Sequence, residues 1–361
     1  MDSPSTRLLQ THTDVRSGQR LLTLGVAPEL AADWAISARI GGGQVWAVAD
    51  DLCETQATER LAREEHLSAL HPLHSADLSE LPAQPFDACA VDILGYPSRA
   101  YLHRLIYEAA RRLEPGGAGA LWIAGANDAG IHALEKRLRE VWGEVSVLAY
   151  KKGHRILHVP RPAELAPLDE AAPEERRLTL RGEKFSLALR PGVFAGGDLD
   201  PATRLLANEM EVGDSKAILD LGCGSGILGM LAARLVPHSQ VYLTDSSAVA
   251  LAAAEENCRR SGLTNTRVLA SDGVAAVSDQ RFDLVLCNPP FHQQRSHSSI
   301  TALRFIREVG GILAPRGRFY LVASQFLRYE PAMREAFGSV TTIANDRKYK
   351  VLLAVGFLAH Q

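Results

Sequence analysis

A glycine-rich turn followed by regularly spaced carboxylates is the part of this 361-residue chain best suited to bind a ligand. The segment Gly222–Gly226 reads GCGSG, closely follows Asp220 in an apolar run, and precedes a helical stretch. Glycines there permit positive φ angles and let a ligand approach the backbone N–H groups at the helix start. Asp245 and Asp272 end the next two strand-like runs, VYLTD and RVLASD. Because parallel strands present their carboxyl ends at one edge of a sheet, these carboxylates predict a site for a nucleoside-like ligand.

The glycine spacing and the position of Asp220 indicate the charge of that ligand. The turn reads G-x-G-x-G rather than the G-x-G-x-x-G of dinucleotide sites. A carboxylate at Asp220 would repel a pyrophosphate, whereas it would attract a ligand with a cationic or zwitterionic group. Asp245 could accept hydrogen bonds from both hydroxyls of a ribose, and Asp272 could meet an adenine amino group.

A second candidate site is Asn288-Pro289-Pro290-Phe291, which follows the buried run FDLVLC. Consecutive prolines fix φ and remove backbone donors, so they predict a rigid turn at the ligand-binding edge. The Asn288 side-chain oxygen and the Pro289 carbonyl can both accept hydrogen bonds from one planar NH₂ group. Phe291 offers a flat face for a flipped base. Such paired acceptors aim a poorly nucleophilic exocyclic amine and stabilise the positive charge that grows during its attack, so no strong base is needed beforehand.

Together these motifs resemble the class I S-adenosylmethionine-dependent methyltransferases over about residues 217–330. The resemblance implies S-adenosyl-L-methionine as the cofactor and an amine as the methyl acceptor. Because it also carries Asn-Pro-Pro-Phe, the chain resembles the amino-methyltransferases, whose members modify adenine N6, guanine N2 or a glutamine side chain. The resemblance assigns catalysis to Asn288, Pro289, Pro290 and Phe291. It assigns the cofactor, from the methionine end through the ribose to the adenine, to Asp220, Gly222, Cys223, Gly224, Gly226, Asp245, Ser246, Asp272 and Gly273, with Asn288 also beside it.

Three features narrow the resemblance to the ribosomal RNA guanine-N2 methyltransferases of the RsmC/RlmG type. They are His292 directly after NPPF, the segment Leu189–Phe194 reading LRPGVF, and the segment Gly197–Asp200 reading GDLD. In that family the PGVF segment helps to close the cofactor pocket, so the resemblance places Phe194 and Asp198 beside the cofactor. It implies ribosomal RNA or a ribosomal subunit as the substrate, with the small subunit favoured. The continuation QQRSHSS, where a shorter glycine-containing turn is expected, leaves open which base is admitted.

Two alternatives to guanine methylation stay open at this point. One is a methyltransferase acting on adenine N6 or a protein glutamine, and the other is a non-catalytic RNA-binding assembly factor that only holds the cofactor. His292 could act as a general base, but a histidine beside a substrate loop more often orients a neighbour or contacts phosphate.

The order of strand-like and helical runs predicts an α/β fold with two tandem Rossmann-like methyltransferase domains, each a doubly wound, mostly parallel sheet. In the second half AILDLG, GILGMLAARLV, QVYLTD and AVALAAAEENCRRSG alternate as strand and helix. Three runs of the first half resemble runs of the second half and precede them by 197, 196 and 200 residues. They are RLLTLG, which resembles AILDLG, FDACAVD, which resembles FDLVLCN, and LEPGGAGALWIAG, which resembles LAPRGRFYLVAS. So small a drift over a whole domain predicts a duplication.

The first half lacks the groups that would bind a cofactor. Its turn keeps a single glycine, Gly25, and the counterpart of NPPF begins at Asp92 and reads DILGYP. We therefore expect residues 1–160 to form a degenerate methyltransferase-like domain without a cofactor site. Residues 161–177, rich in Pro, Ala and Glu, are predicted to be a linker, and residues 178–361 the catalytic domain.

Composition excludes several other classes of protein. With 46% hydrophobic and 22% charged residues the chain is neither disordered nor collagenous, and its five scattered cysteines favour neither a disulfide framework nor a metal site. The polar start and the lack of a run of ~18 apolar residues predict a soluble, cytoplasmic protein with no membrane partner. We expect it to act as a monomer.

Contacts with RNA must be local, because the net charge of −3 gives no chain-wide attraction for phosphates. Residues 1–170 carry −6 and the remainder +3, so basic groups of the second half could form a phosphate-binding rim. They are Arg176, Arg177, Arg181, Lys184 and Arg190, then Arg304, Arg307, Arg316 and Arg318, then Arg347, Lys348 and Lys350.

Overall fold

The chain folds into two compact units, residues 1–172 and residues 173–361. The structure is a computed structural model that describes residues 3–96, 98–115, 118–169, 175–188, 190–193, 199–289 and 295–356, the side chains of 295–299 excepted. In the described ranges, no helix combines the length and apolar character needed to cross a membrane.

The first unit alternates strands and helices from its first strand onward. Its apolar strands are buried and its helices cover them, as the β-α-β order of the sequence predicts. The elements are α1 (Pro4–His12), β1 (Arg20–Leu24), α2 (Pro28–Ala38), β2 (Gln44–Ala49), α3 (Leu52–Glu64), β3 (Leu70–His74), β4 (Ala88–Asp92), α4 (Arg99–Arg111), β5 (Ala120–Ala126), α5 (Ile131–Trp142), β6 (Ser146–Lys151) and β7 (His154–Pro160).

The second unit begins with a two-stranded hairpin and then follows the same alternation. The elements are β8 (Glu175–Leu180), β9 (Glu183–Ala188), α6 (Pro201–Glu209), β10 (Ala217–Leu221), α7 (Ile227–Leu235), β11 (Gln240–Asp245), α8 (Ala248–Arg260), β12 (Thr266–Ala270), β13 (Phe282–Cys287), α9 (Arg295–Ile312), β14 (Leu313–Ser324), α10 (Glu330–Ala336), β15 (Ser339–Asn345) and β16 (Tyr349–Val355).

The two large sheets have the same strand order. The first runs β3-β2-β1-β4-β5-β7-β6 and the second β12-β11-β10-β13-β14-β16-β15, with each strand in the corresponding place. Pairing is parallel except along β7 and β16, which run antiparallel to both neighbours. The order of the chain reverses beside β1 and β10, and ligands of doubly wound sheets bind at such a switch point.

Burial on both faces of β10 explains its continuous apolar sequence. Ile218 packs with the side chains between the sheet and α6 and α7, whereas Leu219 and Leu221 pack towards α9. A strand covered by helices on both sides places its C-terminal residues at a rigid edge. This edge carries the candidate site.

The predicted linker differs from the structure at both ends. Residues before 170 belong to the first unit, where the Arg161 N–H donates to Gly119 O at 2.8 Å and Leu168 is buried. His103 and Asp169 pair there at 2.8 Å. At the other end β8 begins at Glu175, inside the predicted linker. These side chains find partners far away in sequence, which the local composition does not reveal.

Candidate active site

The glycine turn forms the centre of the site. It follows β10, and the N–H groups of Gly222 and Cys223 donate to Thr244 O at 2.8 and 2.9 Å, tying the turn to β11. Gly222, Gly224 and Gly226 have φ angles of 71°, 54° and 85°, a region that other residues rarely adopt. A Cβ added at Gly224 would meet no atom within 4 Å. The turn is therefore open at its middle residue, where a ligand can approach the backbone.

Asp245 lies against this turn at the end of β11. Its Oδ2 accepts the Gly224 N–H at 2.9 Å, and its Oδ1 accepts the Ser247 N–H at 3.0 Å. Ser247 caps α8 through Ala250 N, and Ser246 lies between the two. These hydrogen bonds hold the carboxylate against the turn, and a carboxylate oxygen can accept more than one hydrogen bond.

Asp220 is oriented away from solvent. It is 1% exposed, and its Oδ2 accepts the Gly229 N–H of α7 at 2.7 Å. Burial raises the pKa of this carboxyl to about 7; the Gly229 hydrogen bond opposes the rise and the charge of Asp245 adds to it. The contact anchors α7 to β10. A direct contact between Asp220 and the methionine end of a cofactor stays a prediction.

Asp272 has a partner that the sequence did not indicate. It lies two residues beyond the end of β12, and Arg304 of α9 donates to its Oδ2 at 2.8 Å and to its Oδ1 at 2.5 Å. Arg304 also lies 3.7 Å from Glu308, whose Oε2 accepts the Val274 N–H at 3.3 Å. A Cβ added at Gly273 would overlap the Glu308 carboxylate, and the φ angle of 57° there is one that other residues rarely adopt. A planar guanidinium thus faces the carboxylate that is predicted to meet adenine.

Asn288 is held by two side chains of α6. Its Nδ2 donates to Asp200 Oδ2 and to Thr203 Oγ1, both at 2.7 Å. Asp200 caps α6 by accepting the Thr203 N–H at 2.9 Å. Because a carboxylate only accepts hydrogen bonds, the amide nitrogen must face Asp200 and the amide oxygen must face the other way. That oxygen, Asn288 Oδ1, is buried and has no hydrogen-bond partner among the described residues.

The register of the strands brings the turn, Asp245 and Asn288 to one edge. Leu221 pairs with Thr244 on one side and with Cys287 on the other, so the residues that follow all three strands lie side by side. Asp272 follows β12 at the outer end of this row. A buried acceptor without a partner costs about 1–3 kcal/mol, so a hydrogen-bond donor that reached Asn288 Oδ1 would stabilise this edge.

Comparisons with known proteins identify relatives of this chain. Residues 184–353 match the Methyltransferase small domain family. Ribosomal RNA small subunit methyltransferase C of Shewanella pealeana is 32% identical over 273 residues, which is 74% of this chain and 78% of that protein. Ribosomal RNA large subunit methyltransferase G of Klebsiella pneumoniae is 29% identical over 280 residues, 77% of this chain and 72% of that protein. The chain belongs to this family of ribosomal RNA methyltransferases.

A solved structure of a related ribosomal RNA methyltransferase matches both units of this chain. The 16S rRNA N2 G1207 methyltransferase (RsmC) of T. thermophilus, in complex with AdoMet and guanosine, is 26% identical. The match covers 98% of this chain and 92% of the T. thermophilus chain, with a TM-score of 0.81. The α/β fold with two tandem methyltransferase-like domains is therefore confirmed.

Some predicted site residues of this methyltransferase lie outside the described residues. These are Phe194 and Asp198 of the cofactor set and Pro290 and Phe291 of the catalytic set, together with His292. Pro289 is described and buried. Cys223 is buried too, and burial raises the pKa of its thiol.

Sequence reasoning missed the residues that orient Asn288 and Asp272. Asp200 and Thr203 had a recognisable signal, since Asp-Pro at the start of an apolar periodic run marks a helix N-terminus. No sequence signal indicated the structural roles of Arg304 and Asn257. Asn257 lies in α8 and links the Ala188 N–H, at 2.7 Å, to Ser225 O, at 3.1 Å, which joins the hairpin to the glycine turn.

Several basic groups predicted for a phosphate-binding rim have partners within the second unit. Arg181 donates to Met210 O at 2.6 Å, and Arg318 donates to Val212 O at 3.1 Å. Lys350 is buried and pairs with Glu330 at 2.5 Å. These side chains stabilise the fold, so an RNA surface must use other cations. The described ranges also contain no group of three His, Cys, Asp or Glu side chains placed to hold a metal ion.

Proposed function

We propose that this protein transfers a methyl group from S-adenosyl-L-methionine to the exocyclic N2 amine of a guanine in ribosomal RNA, with small-subunit RNA as the favoured substrate. The observation that carries the proposal is Asn288, whose amide nitrogen is fixed by Asp200 and Thr203 and whose buried oxygen lacks a donor among the described residues. An amine N–H is the kind of group that satisfies such an oxygen.

The residues around the turn suit a nucleoside cofactor with a cationic centre. The open backbone at Gly224 and the fixed carboxylate of Asp245 would hold the sugar and the methionine part. Asp220 contributes a buried carboxyl that a nearby cation favours in its charged form. When bound, S-adenosyl-L-methionine supplies a methyl group on a sulfonium sulfur, and this acidic edge would attract the positive charge of that sulfur.

The chain's own contribution to the reaction is positioning. The lone pair of a guanine N2 amine is delocalised into the ring, so the amine is a weak nucleophile. Asn288 Oδ1 accepts one of its N–H groups, orients the nitrogen and stabilises the positive charge that grows on it. Asp200 and Thr203 keep the amide from rotating. The buried, apolar strands on either side keep this geometry rigid.

The choice of guanine and of the small subunit rests on the relatives. The T. thermophilus structure, which spans nearly the whole chain, is described as a 16S rRNA N2 G1207 methyltransferase and contains guanosine. Small subunit methyltransferase C of S. pealeana matches over three quarters of its own length. We further propose that the protein works as a cytoplasmic monomer, in keeping with a substrate that is a ribosomal subunit or its RNA.

A labelling experiment tests the proposal. Purified full-length protein is incubated with methyl-labelled S-adenosyl-L-methionine and, separately, with small subunits, large subunits, their naked RNAs and release factors. Mass spectrometry of the nucleosides should identify N2-methylguanosine in small-subunit RNA. N6-methyladenosine or methylglutamine as the product would overturn the choice of acceptor. RNA binding without any methyl transfer would support an assembly factor instead.

A further inference from the structure

The most exposed large apolar side chain in the described part of the protein is Phe326. It lies two residues after the end of β14 and is 88% exposed. A single exposed aromatic ring is common on protein surfaces and says little by itself. Its position and its neighbours give it meaning here.

Phe326 lies at the same edge of the sheet as Asn288. Cys287 pairs with Leu321 of β14, so β14 ends at the edge where Asn288 follows β13. Ser324, the last residue of β14, pairs with Tyr349 at the start of β16. Asp200, which orients Asn288, is close enough to Tyr349 to contribute to the raised pKa of that phenol, after burial. The active-site edge therefore continues to Phe326.

The loop that carries Phe326 is fixed to the turn between β15 and β16. The Gln325 N–H donates to Lys348 O at 2.9 Å. The Gln325 side-chain amide donates to Asp346 O at 2.8 Å and to Tyr349 O at 3.0 Å. These bonds hold the backbone beside the exposed ring, so presenting the ring costs little further ordering when a ligand binds.

The charge around Phe326 is positive. Arg328, Arg347 and Lys348 are exposed, and none of them forms an ion pair among the described residues. Asp346 is the acidic side chain of this turn, and its carboxylate accepts the Lys348 and Tyr349 N–H groups at 2.6 and 2.7 Å. Exposed cations beside an exposed ring suit an anionic ligand with flat bases.

The equivalent turn of the first unit does not carry an aromatic residue. There the Asn127 N–H donates to Gly153 O at 2.8 Å, as the Gln325 N–H does to Lys348 O. The next residue is Asp128, which is exposed. The turn therefore forms without a ring at this place, and the fold does not require Phe326.

We propose that Phe326 is a stacking platform for an unpaired base that neighbours the target guanine, and that Arg328, Arg347 and Lys348 bind the flanking phosphates. The inference rests on the proposed function. Single-stranded RNA is the ligand that combines accessible base faces with closely spaced phosphates, whereas paired RNA hides its base faces. The platform would hold the strand while the target base reaches Asn288.

Binding to RNA, measured without methyl transfer, tests the platform. The probe is a fluorescein-labelled, single-stranded RNA of about twelve nucleotides with one guanine, and the readout is anisotropy with the full chain. Phe326→Ala should weaken binding about 5- to 100-fold, because stacking of a base on an aromatic ring contributes that much. Phe326→Trp should bind as tightly as the wild type, and Phe326→Leu should resemble Phe326→Ala. Ile40→Ala, which removes another exposed apolar side chain, is the matched control.

Salt dependence tests the cations separately. Replacing Arg347 or Lys348 with Ala should lower the slope of log affinity against log salt by about 0.7 for each phosphate that the variant no longer binds. Phe326→Ala should leave that slope unchanged, as should the control Lys216→Ala, which removes an exposed cation before β10. All variants should bind S-adenosyl-L-methionine like the wild type in calorimetry, which reports folding.

Two results would overturn the inference: wild-type RNA affinity in Phe326→Ala, or full affinity in Phe326→Leu, which would mean a non-stacking apolar contact. Failure of the proposed function is distinguishable from both, since it would appear as absence of N2-methylguanosine from wild-type reactions.

Discussion

The two units share one architecture, yet their glycine turns differ in what fills them. Gly25 donates its N–H to Val48 O at 3.2 Å, just as Gly222 donates to Thr244 O at 2.8 Å. In the first unit a Cβ added at Gly25 would lie 2.9 Å from the Tyr96 ring. In the second unit the nearest atom to a Cβ added at the equivalent Gly222 is Phe305 Cε2 at 3.9 Å, and nothing lies within 4 Å of a Cβ added at Gly224. The same backbone thus forms a filled turn in one unit and an open turn in the other.

The side chains at the ends of the neighbouring strands differ as well. Leu24 pairs with Val48 as Leu221 pairs with Thr244, so Ala49 stands where the second unit has Asp245. Asp92 stands where the second unit has Asn288.

Asp92 serves its own loop, because its Oδ1 accepts the Leu94 N–H at 3.1 Å and caps a short turn. Burial raises the pKa of this carboxyl to about 6. The comparison teaches that backbone hydrogen bonds and buried strands maintain this fold, whereas ligand binding depends on a few side chains at its edge.

The largest expected effect comes from giving the second unit the first unit's residue, Asn288→Asp. The variant keeps an acceptor but loses the amide nitrogen that Asp200 and Thr203 hold, and it brings two carboxylates within hydrogen-bond distance. Like charges so close disfavour ionisation and displace the group. Methyl transfer to small-subunit RNA should fall about 10²- to 10³-fold, the usual cost of losing a positioned electrostatic interaction.

The matched control for Asn288→Asp is Asp92→Asn in the first unit. Its side-chain oxygen can still accept the Leu94 N–H, so activity should stay within about twofold of wild type. Binding of S-adenosyl-L-methionine should be unchanged in Asp92→Asn, and in Asn288→Asp it should change less than methyl transfer does. Near wild-type turnover in Asn288→Asp would contradict the role given to Asn288.

Asp245→Ala copies Ala49 and should remove most of the cofactor affinity. A charge-assisted hydrogen bond to a ribose hydroxyl is worth about 1.5–3 kcal/mol, so the loss of one such bond should already raise Kd about 10- to 100-fold. The Gly224 and Ser247 N–H groups also lose their acceptor. Calorimetry on the full chain should show one cofactor per chain in the wild type. Two binding sites, or unchanged affinity in Asp245→Ala, would break the contrast between the units.

Asp51→Ala is the control for Asp245→Ala. Asp51 lies two residues after the end of β2, and its carboxylate caps α3 by accepting the Cys53 N–H at 2.7 Å. Its removal should lower stability by about 1 kcal/mol and leave the cofactor Kd unchanged.

The positions of Asp245 and Asn288 could be predicted because parallel strands in this order end at one edge. The alternation of apolar strands and helices sufficed for that, and the repeat offsets anticipated the second sheet. The partners of these residues could not be predicted. Arg304 is 32 residues from Asp272 in sequence, and Thr203 is 85 residues from Asn288. Such contacts depend on how a helix packs against a strand end, which local periodicity does not encode.

Asp220 shows a second limit of sequence reasoning. Its position in an apolar strand just before the glycine turn marked it as a candidate site residue. The sequence did not indicate that its carboxylate turns inward to Gly229. Residues 161–169 illustrate the same point, since their composition suggested a linker while Leu168 is buried in the first unit. Composition reports average exposure, and a few buried contacts suffice to recruit a segment into a domain.

The pH dependence of cofactor binding sharpens the comparison further. The pKa of Asp220 is about 7, so the carboxyl is mostly protonated at pH 6 and mostly charged at pH 8. A cationic ligand favours the charged form, so the affinity for S-adenosyl-L-methionine should rise about fivefold to tenfold between those values, with proton release on binding. Asp220→Asn keeps the acceptor for Gly229 and should lose this dependence. Calorimetry at pH 6, 7 and 8 measures it.

The stability of the protein without ligand should change in the opposite direction. The folded-state pKa of Asp220 lies above the ordinary value of 3.8, so the folded state binds more protons between about pH 4 and pH 7. The contribution of this group to the free energy of unfolding therefore falls as pH rises through that window. Asp220→Asn should flatten this fall in thermal unfolding. An unchanged pH profile in the variant would contradict the raised pKa.

An arginine–glutamate pair occurs in both units and allows the finest test. Arg104 lies 3.5 Å from Glu108, and Arg304 lies 3.7 Å from Glu308, four residues apart in both helices. Each glutamate accepts a loop N–H. Glu108 accepts that of Leu78 at 3.4 Å, and Glu308 accepts that of Val274 at 3.3 Å. The pair is therefore a feature of the fold that both units share.

In the second unit the arginine of this pair also holds a carboxylate. Arg104 donates to Ala76 O at 2.6 Å, whereas Arg304 donates to both oxygens of Asp272. Arg304→Met should release Asp272 and raise the cofactor Kd about threefold, a small effect because partly exposed ion pairs contribute about 0.2–1 kcal/mol. Arg104→Met should lower stability by a similar amount and leave Kd unchanged. The product of the cofactor is S-adenosyl-L-homocysteine, and an analogue with oxygen in place of its adenine amino group tests the contact directly. This replacement should weaken binding to the wild type more than binding to Arg304→Met. Equal discrimination by both proteins would show that Arg304 serves the fold alone, as Arg104 does.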